Sequence, residues 1–278
     1  MADEHEDAAA ALRAPLVYRA PGMDAATVRR GISYRGAAAS DPRMDIYVPE
    51  GLRADERRPA VLFIHGGPVS PALPLPPTEW GVFRGYGALA AASGWVGVTF
   101  THRFYGFDHL EQAAEDIAAA IAYVRSHAQD LGVDADRLCL WAFSGGGPFL
   151  ADALRSQPDY VRCLVAYYTL MDLRPLASAA GVAGSVAEQT LRRFSLVAAV
   201  EERGAGALPL LVARAGQDNP SLNAQIDAFA RAALTANLPL DLLNHPAGYH
   251  AFDTRNDDAR TREILDHTLA FIHHRFEV

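Results

Sequence analysis

The chain has 278 residues, of which half are apolar and 21% are charged. This composition is typical of a globular protein with a large core rather than of a disordered, fibrous or membrane protein. The net charge is -8, and no basic stripe is interleaved with aromatic residues, so we expect no nucleic-acid partner. No window reaches the roughly 18 to 20 consecutive apolar residues of a membrane span, so we expect no membrane partner either.

Residues 1–30 show an acidic, alanine-rich start and no strong period, and we interpret them as an N-terminal extension. Their beginning lacks the positive charge of a secretory signal. Cys139 and Cys163 each lie inside an apolar run, where they are expected to be packing residues in a reducing compartment. The predicted location is therefore the cytoplasm.

From Met44 onward, short apolar runs alternate with longer stretches of helical period. The runs cover residues 60–64, 96–100, 138–143, 163–168, 208–213 and 238–243. Continuous apolar runs of this length are typical of strands buried on both faces, as in a parallel sheet covered by helices.

Two helices are predicted between and after these strands. One contains Leu110, Ile117 and Val124 at helical spacing, and a final helix runs from about Asp258 to His274. The alternation predicts an α/β fold with a mainly parallel sheet and a single domain over residues 31–278.

Two segments interrupt the alternation. Residues 68–77 contain five prolines, which predicts a stiff loop, and residues 170–207 show no clear strand. Ligands of open α/β sheets bind at the carboxyl ends of the strands, so residues 68–85 and 170–207 are candidate lid segments. The alternative is that both are plain surface connections.

The stretch "LCLWAFSGGGPF", residues 138–149, places Ser144 where a predicted strand runs into three glycines. A catalytic serine on such a sharp bend needs small residues two positions before and after it, and these are Ala142 and Gly146. Alanine departs mildly from the usual glycine. Pro148 is able to start the helix that follows.

A second glycine-containing stretch, "FIHGGP", ends the first long strand. Backbone N–H groups of Gly66 and Gly67, together with that of Gly145, are candidate donors for an oxyanion. Pro68 has no N–H and cannot donate. We expect His65 to hold this loop rather than to transfer protons.

A serine hydroxyl needs a base and an acid that supports the base. His250, in "PAGYHAFD", follows the last predicted strand, and Asp218, in "ARAGQDNP", follows the strand before it. His245 is the nearest rival base. Asp172 is the alternative acid, and Asp253 is expected to anchor the His250 loop.

The order Ser144, Asp218, His250 resembles that of the α/β-hydrolase superfamily. The motifs "HGGP", "AFSGG", "AGQDNP" and "GYHAFD", within residues 44–275, look most like its dienelactone-hydrolase and carboxylesterase branches. The resemblance implies an α/β-hydrolase fold with a small lid and a serine esterase that cleaves a small to medium carboxylic ester through an acyl-enzyme. Dienelactone hydrolases commonly use cysteine, so Ser144 favours the esterase branch.

Aromatic residues near the strand ends are candidates for the substrate pocket, namely Trp80, Phe83, Phe104, Tyr105 and Phe107. No metal-ligand spacing, phosphate loop or dinucleotide fingerprint occurs, so we expect no metal and no cofactor. The alternatives are a prolyl-oligopeptidase-like peptidase, a lactone hydrolase, and a ligand-binding protein that has lost turnover. Sequence leaves the oligomeric state open.

Overall fold

The computed structural model describes residues 10–36, 38, 40–179, 181, 184, 186–203 and 208–277. Within these residues the chain forms one eight-stranded sheet. Its strands are β1 (Thr27–Ser33), β2 (Arg43–Val48), β3 (Arg58–Ile64), β4 (Val96–Phe100), β5 (Val133–Phe143), β6 (Val161–Tyr167), β7 (Leu210–Ala215) and β8 (Leu240–His245).

The strand order across the sheet is β1-β2-β4-β3-β5-β6-β7-β8. Strands β3 to β8 pair in parallel, while β1 and β2 form the antiparallel edge. Each of the six apolar runs lies in or overlaps one of the parallel strands. The predicted α/β class with a mainly parallel sheet is therefore confirmed.

Helices connect the parallel strands on both faces of the sheet. They are α1 (Gly81–Ala92), α2 (Leu110–Ser126), α3 (Ala128–Leu131), α4 (Ala151–Ser156), α5 (Arg174–Ala179), α6 (Glu188–Arg193), α7 (Leu196–Arg203), α8 (Pro220–Thr235), α9 (Phe252–Arg255) and α10 (Ala259–Glu277). No helix in the described part of the chain is both long enough and apolar enough to cross a membrane.

The sheet separates two apolar layers because successive side chains of a strand point to opposite faces. Leu62 of β3 packs in the layer that contains the inward residues of α2 and α8. Phe63, the next residue, packs in the layer formed with α1 and α10. Both side chains are almost completely buried.

The described part of the N-terminal segment packs against the domain, although residues 1–30 were expected to be an extension. Leu16 and Met23 are buried in the layer beneath α1 and α10. Gly85 of α1 admits this contact, since a Cβ there would lie 2.7 Å from the Cβ of Leu16. Residues 27–30 of this segment belong to β1, whereas the described residues before them form only short helical turns and irregular chain, which carry no period that reveals this packing.

The two candidate lid segments differ in the structure. Residues 68–76 form an irregular loop that leads into a short 3-10 helix, Pro77–Glu79, and then into α1. In contrast, the segment 170–207 buries Leu173, Leu191 and Phe194 in the core. Its described residues are thus part of the domain body rather than a detachable cover; residues 180, 182, 183, 185 and 204–207 of this segment lie outside the described residues.

Candidate active site

Ser144 directly follows β5, and its backbone adopts a left-handed conformation with a φ of 49°. Such a conformation is uncommon for a non-glycine residue and typically costs about 1–3 kcal/mol, which surrounding structure must offset. A 3-10 helix, Ser144–Leu150, begins at this point and α4 follows it, so Pro148 lies inside a 3-10 helix rather than at the start of an α-helix. The bend presents the serine at the carboxyl end of the sheet.

The glycines after Ser144 allow the bend to lie against the neighbouring backbone. A Cβ at Gly145 would overlap the carbonyl oxygen of Gly67. A Cβ at Gly146 would lie 2.6 Å from the carbonyl oxygen of His65. Both distances are too short for any side chain. Gly145 and Gly146 are therefore required by close packing between the exits of β3 and β5, while a Cβ at Gly147 would lie 2.5 Å from the carbonyl oxygen of Leu170, after β6.

The side chains of Ser144, His250 and Asp218 form one chain of hydrogen bonds. The Ser144 Oγ lies 2.9 Å from the Nε2 of His250, and the His250 Nδ1 lies 2.6 Å from the Oδ2 of Asp218. The Asp218 side chain is only 4% exposed, and its other oxygen accepts the N–H of Asn219. With Nδ1–H donated to the carboxylate, Nε2 is free to accept the serine proton.

The rival residues are engaged elsewhere. Asp172 forms a bidentate ion pair with Arg174, at distances of 2.5 to 3.0 Å, and Gln225 accepts the Asp172 backbone N–H. His245 is buried, with its Nε2 3.0 Å from the hydroxyl of Thr261. The geometry thus brings His250 to Ser144 and Asp218 to His250.

Gly66 and Gly67 lie beside Ser144 at the exit of β3. A Cβ on Gly66 would lie 2.9 Å from the Cβ of Ser144, so the glycine permits this approach. Among the described residues, none accepts a hydrogen bond from the backbone N–H of Gly66 or Gly67. These two donors are therefore available to a ligand next to the serine hydroxyl.

His65 holds this loop through its ring. Its Nδ1–H donates to the carbonyl oxygen of Gly66, and its Nε2 accepts the backbone N–H of His102. The two imidazole rings stack with centroids 3.6 Å apart. Burial lowers the pKa of His65 to about 4, and burial together with the nearby His65 holds the pKa of His102 well below its usual range. Both rings are consequently neutral at pH 7.

An apolar cavity of about 340 Å³ opens onto Ser144 and His250. Its walls include Trp80, Val82, Phe83, Phe143, Tyr168 and Leu73. Ala11, Leu12 and Ala14 of the N-terminal segment line it as well, whereas no described residue of the segment 170–207 does. The proline-rich loop and the N-terminal segment therefore enclose the cavity together.

Of the aromatic residues proposed for the pocket, only Trp80 and Phe83 line this cavity. Phe104 is buried against Gly67 and Phe149, and Phe107 packs on the same core layer. Tyr105 lines a neighbouring cavity of about 700 Å³, which shares Val69 and Leu73 with this one. Phe104 and Phe107 lie away from this cavity because the chain after β4 turns to the α2 face of the sheet, while the cavity lies on the α1 face.

Sequence reasoning missed two contributors to this site. Tyr168 follows β6, and its ring meets that of His250 edge-on with centroids 4.9 Å apart. The N-terminal segment contributes Leu12 to the cavity wall. The position of Tyr168 just after a strand was a usable signal, whereas nothing in the local sequence marks Leu12. In the described part of the chain, no group of three His, Cys, Asp or Glu side chains is placed to hold a metal ion.

The chain has the α/β-hydrolase fold. This class is indicated by the strand order, by Ser144 at the exit of β5, and by the hydrogen bonds that join it to His250 and Asp218. Solved structures confirm the fold. The esterase Est2 of the planctomycete Thermogutta terrifontis superposes with a TM-score of 0.72 at 21% identity, and the match covers 95% of each chain. A truncated carbohydrate esterase from gut microbiota also gives 0.72, at 17% identity over 93% of this chain and 99% of the other.

Sequence comparisons match shorter parts of the chain. The BD-FAE family profile matches residues 44–156, which is less than half of the chain. A dipeptidyl-peptidase 4 of Giardia intestinalis is 28% identical over 133 residues. That alignment covers 45% of this chain but only 17% of the relative's length.

The buried His65 predicts acid sensitivity. Between pH 6.5 and about 4 the unfolded chain binds a proton at this residue that the folded chain does not, so the free energy of unfolding should fall as the pH drops. One such histidine contributes a slope of at most about 1.4 kcal/mol per pH unit. Denaturant unfolding at several pH values should therefore give a shallower slope for His65→Gln than for the wild type.

The matched control is His274→Gln, because His274 is exposed on α10. This variant should keep the wild-type slope. Equal slopes for all three proteins would contradict the assignment of His65 as a buried neutral group.

Proposed function

We propose that the protein is a serine hydrolase that cleaves carboxylic esters through an acyl-enzyme on Ser144. The observation that carries the proposal is the hydrogen-bonded chain from Ser144 through His250 to Asp218, open to an apolar cavity. A serine becomes nucleophilic only when a positioned base removes its proton. In this proposal His250 is the base, Asp218 holds it in place, and the cavity beside Ser144 admits the substrate.

Acylation follows from this geometry. His250 Nε2 takes the Ser144 proton as Oγ bonds to the ester carbonyl carbon, and the Asp218 carboxylate stabilises the imidazolium that forms. The carbonyl π bond breaks, leaving the charge on oxygen. When the tetrahedral intermediate collapses, the C–O bond to the alcohol breaks and His250 returns its proton to the leaving oxygen.

Backbone N–H groups of Gly66, Gly67 and Gly145 serve in our proposal as the oxyanion hole. The absence of a described acceptor for the N–H groups of Gly66 and Gly67 supports this role. Removal of one such donor typically costs about 100- to 1,000-fold in rate. Water then attacks the acyl-enzyme with His250 as base, which releases the acid and restores Ser144.

The cavity supports a small or medium apolar group on the substrate. A volume of about 340 Å³ lies at the lower end of small-molecule sites, and the described walls are mainly alanine, leucine, valine and aromatic side chains. Two proteins of similar structure, an esterase of Thermogutta terrifontis and a carbohydrate esterase from gut microbiota, cleave esters, which supports the proposal. A lactone is an internal ester and fits the same chemistry.

Peptidase activity is the second candidate, since one curated relative is a dipeptidyl-peptidase 4. A dipeptidyl-peptidase substrate has a free, positively charged N-terminal amine, and a buried charge of this kind needs a carboxylate partner in the cavity. Asp253 is the acidic side chain among the described lining residues, and it already accepts hydrogen bonds from Tyr86 and Tyr168. The lining therefore favours an uncharged ester over a free N-terminal amine.

A cytoplasmic location stays part of the proposal. It is supported by Cys139 and Cys163, which are free, buried and paired in register on adjacent strands.

Ser144→Ala should reduce hydrolysis of p-nitrophenyl acetate by at least about 1,000-fold while the far-UV circular dichroism stays unchanged, because the nucleophile is lost without a change in packing. Asp218→Asn should cost at least about 100-fold. The matched control is Asp172→Asn, since Asp172 pairs with Arg174 and should affect turnover far less.

Two results would contradict the proposal. A folded Ser144→Ala protein with wild-type turnover would exclude Ser144 as the nucleophile. Loss of activity in Asp172→Asn but not in Asp218→Asn would reverse the acid assignment. Lactones and aminoacyl p-nitroanilides in the same assay separate the esterase from the lactonase and the peptidase.

Leu12→Ala should improve the hydrolysis of esters with longer acyl chains, because Leu12 lines the cavity and a smaller side chain leaves more space there. Each extra buried methylene is worth about 0.8 kcal/mol, so we expect the ratio of kcat/KM for p-nitrophenyl octanoate to that for the acetate to rise roughly 3- to 10-fold. Leu234→Ala, at an exposed site on α8, is the control. An unchanged ratio in Leu12→Ala would exclude the N-terminal segment from substrate selection.

A further inference from the structure

Asp253 is a buried carboxylate at the candidate active site that the mechanism above does not use. It lies three residues after His250, in the short helix α9, and lines the cavity that contains Ser144. Its exposed fraction is 0%. A buried carboxylate is costly unless it is well hydrogen-bonded, so its partners indicate why the fold retains it.

Two tyrosine hydroxyls supply those hydrogen bonds. Tyr86 of α1 donates to one carboxylate oxygen at 2.6 Å, and Tyr168 reaches both oxygens at 2.8 and 2.9 Å. Burial raises the pKa of Asp253, while the hydrogen bonds from Tyr86 and Tyr168 act in the opposite direction. Burial, followed by the Asp253 carboxylate, raises the pKa of Tyr168 well above its usual value, so the phenol keeps its proton and stays a donor.

Tyr168 connects this carboxylate to the imidazole. Its ring lies edge-on to the ring of His250, with centroids 4.9 Å apart and planes at 61°. The nearby backbone is constrained as well: Tyr168 has a φ of 40°, and Ala251, the residue after His250, has a φ of 59°, both in the left-handed region. Surrounding structure must hold both residues in this uncommon conformation.

We propose that Asp253 is a second carboxylate that acts on His250. Through Tyr168 it fixes the plane of the imidazole, and its buried negative charge favours the imidazolium that forms when Ser144 loses its proton. Asp253 is a positioning residue rather than a catalytic one, because its hydrogen bonds run to the tyrosines and not to a reacting atom. This inference rests on the proposed function of His250 as the base.

The groups that face His250 come from three elements. Asp218 follows β7 and bonds to Nδ1, and Tyr168 follows β6. Asp253 on α9 interacts electrostatically with His250 and accepts a hydrogen bond from Tyr86. A carboxylate near an imidazole stabilises the positive charge of the protonated ring, and burial keeps the phenol of Tyr168 neutral. Removal of the Asp253 charge should therefore weaken proton binding at the imidazole even when Asp218 is intact.

The test compares three variants by the pH dependence of kcat/KM for p-nitrophenyl acetate. Asp253→Asn should move the midpoint of the acid limb down by roughly half a unit to one unit and lower kcat about 10-fold. Tyr168→Phe keeps the ring but releases it from Asp253, and should lower kcat about 3- to 10-fold with KM within twofold. Asp172→Asn is the matched control: it removes a carboxylate that pairs with Arg174 instead, so its acid limb should match the wild type.

A second readout does not depend on turnover. NMR titration of 15N-histidine-labelled protein, with the His250 signal assigned from His250→Asn, should show the same downward shift in Asp253→Asn. Wild-type activity that disappears in Ser144→Ala verifies the proposed function independently.

The inference is overturned if folded Asp253→Asn keeps both the wild-type kcat and the wild-type acid limb. It is also overturned if Asp253→Asn and Tyr168→Phe lower the thermal midpoint but leave the kinetics unchanged, since Asp253 would then only anchor the loop. Should Asp253→Asn fail to fold, Tyr168→Phe decides: wild-type kcat in that variant contradicts the positioning role.

Discussion

Ser144 leaves β5 in a left-handed backbone conformation, and the position of its hydroxyl depends on this turn. The turn is possible because β5 lies between β3 and β6 near the middle of the sheet, so the strand exits on both sides are fixed by pairing. Gly145 and Gly146 then allow the bend to pack against the backbone that leaves β3. The same packing brings Gly66 and Gly67 beside the serine.

The two sides of Ser144 differ in charge. On the side of His250 lie two carboxylates, Asp218 and Asp253, both with buried side chains. On the side of Gly66, the stacked His65 and His102 are buried and neutral, since burial lowers the pKa of each ring. The negative side suits a histidine that becomes positive, and His65 and His102 bring no negative charge next to the oxyanion of the proposed mechanism. His250 thus lies where a positive charge is stabilised, whereas burial keeps His65 and His102 uncharged.

Sequence patterns predict the sheet well because strands buried on both faces appear as continuous apolar runs. Ser144, Asp218 and His250 could be proposed because each follows a strand, and parallel strands bring their carboxyl ends to one edge. The orientation of Phe104 could not be predicted in this way, since the face to which a connection turns depends on packing with Phe149 and Gly67. The contribution of Leu12 was also hidden, because the contact joins residues far apart in the chain.

The most direct test of the account is covalent labelling with a fluorophosphonate probe, followed by peptide mass spectrometry. Thermogutta terrifontis esterase 2, which shares the fold at 22% identity, is known in a form phosphoramylated by tabun. An activated serine should react with the probe at Ser144 with one-to-one stoichiometry, and labelling should disappear in His250→Ala although Ser144 is still present. Absence of labelling in the folded wild-type protein, or labelling at another residue, would contradict the assignment of Ser144 as an activated nucleophile.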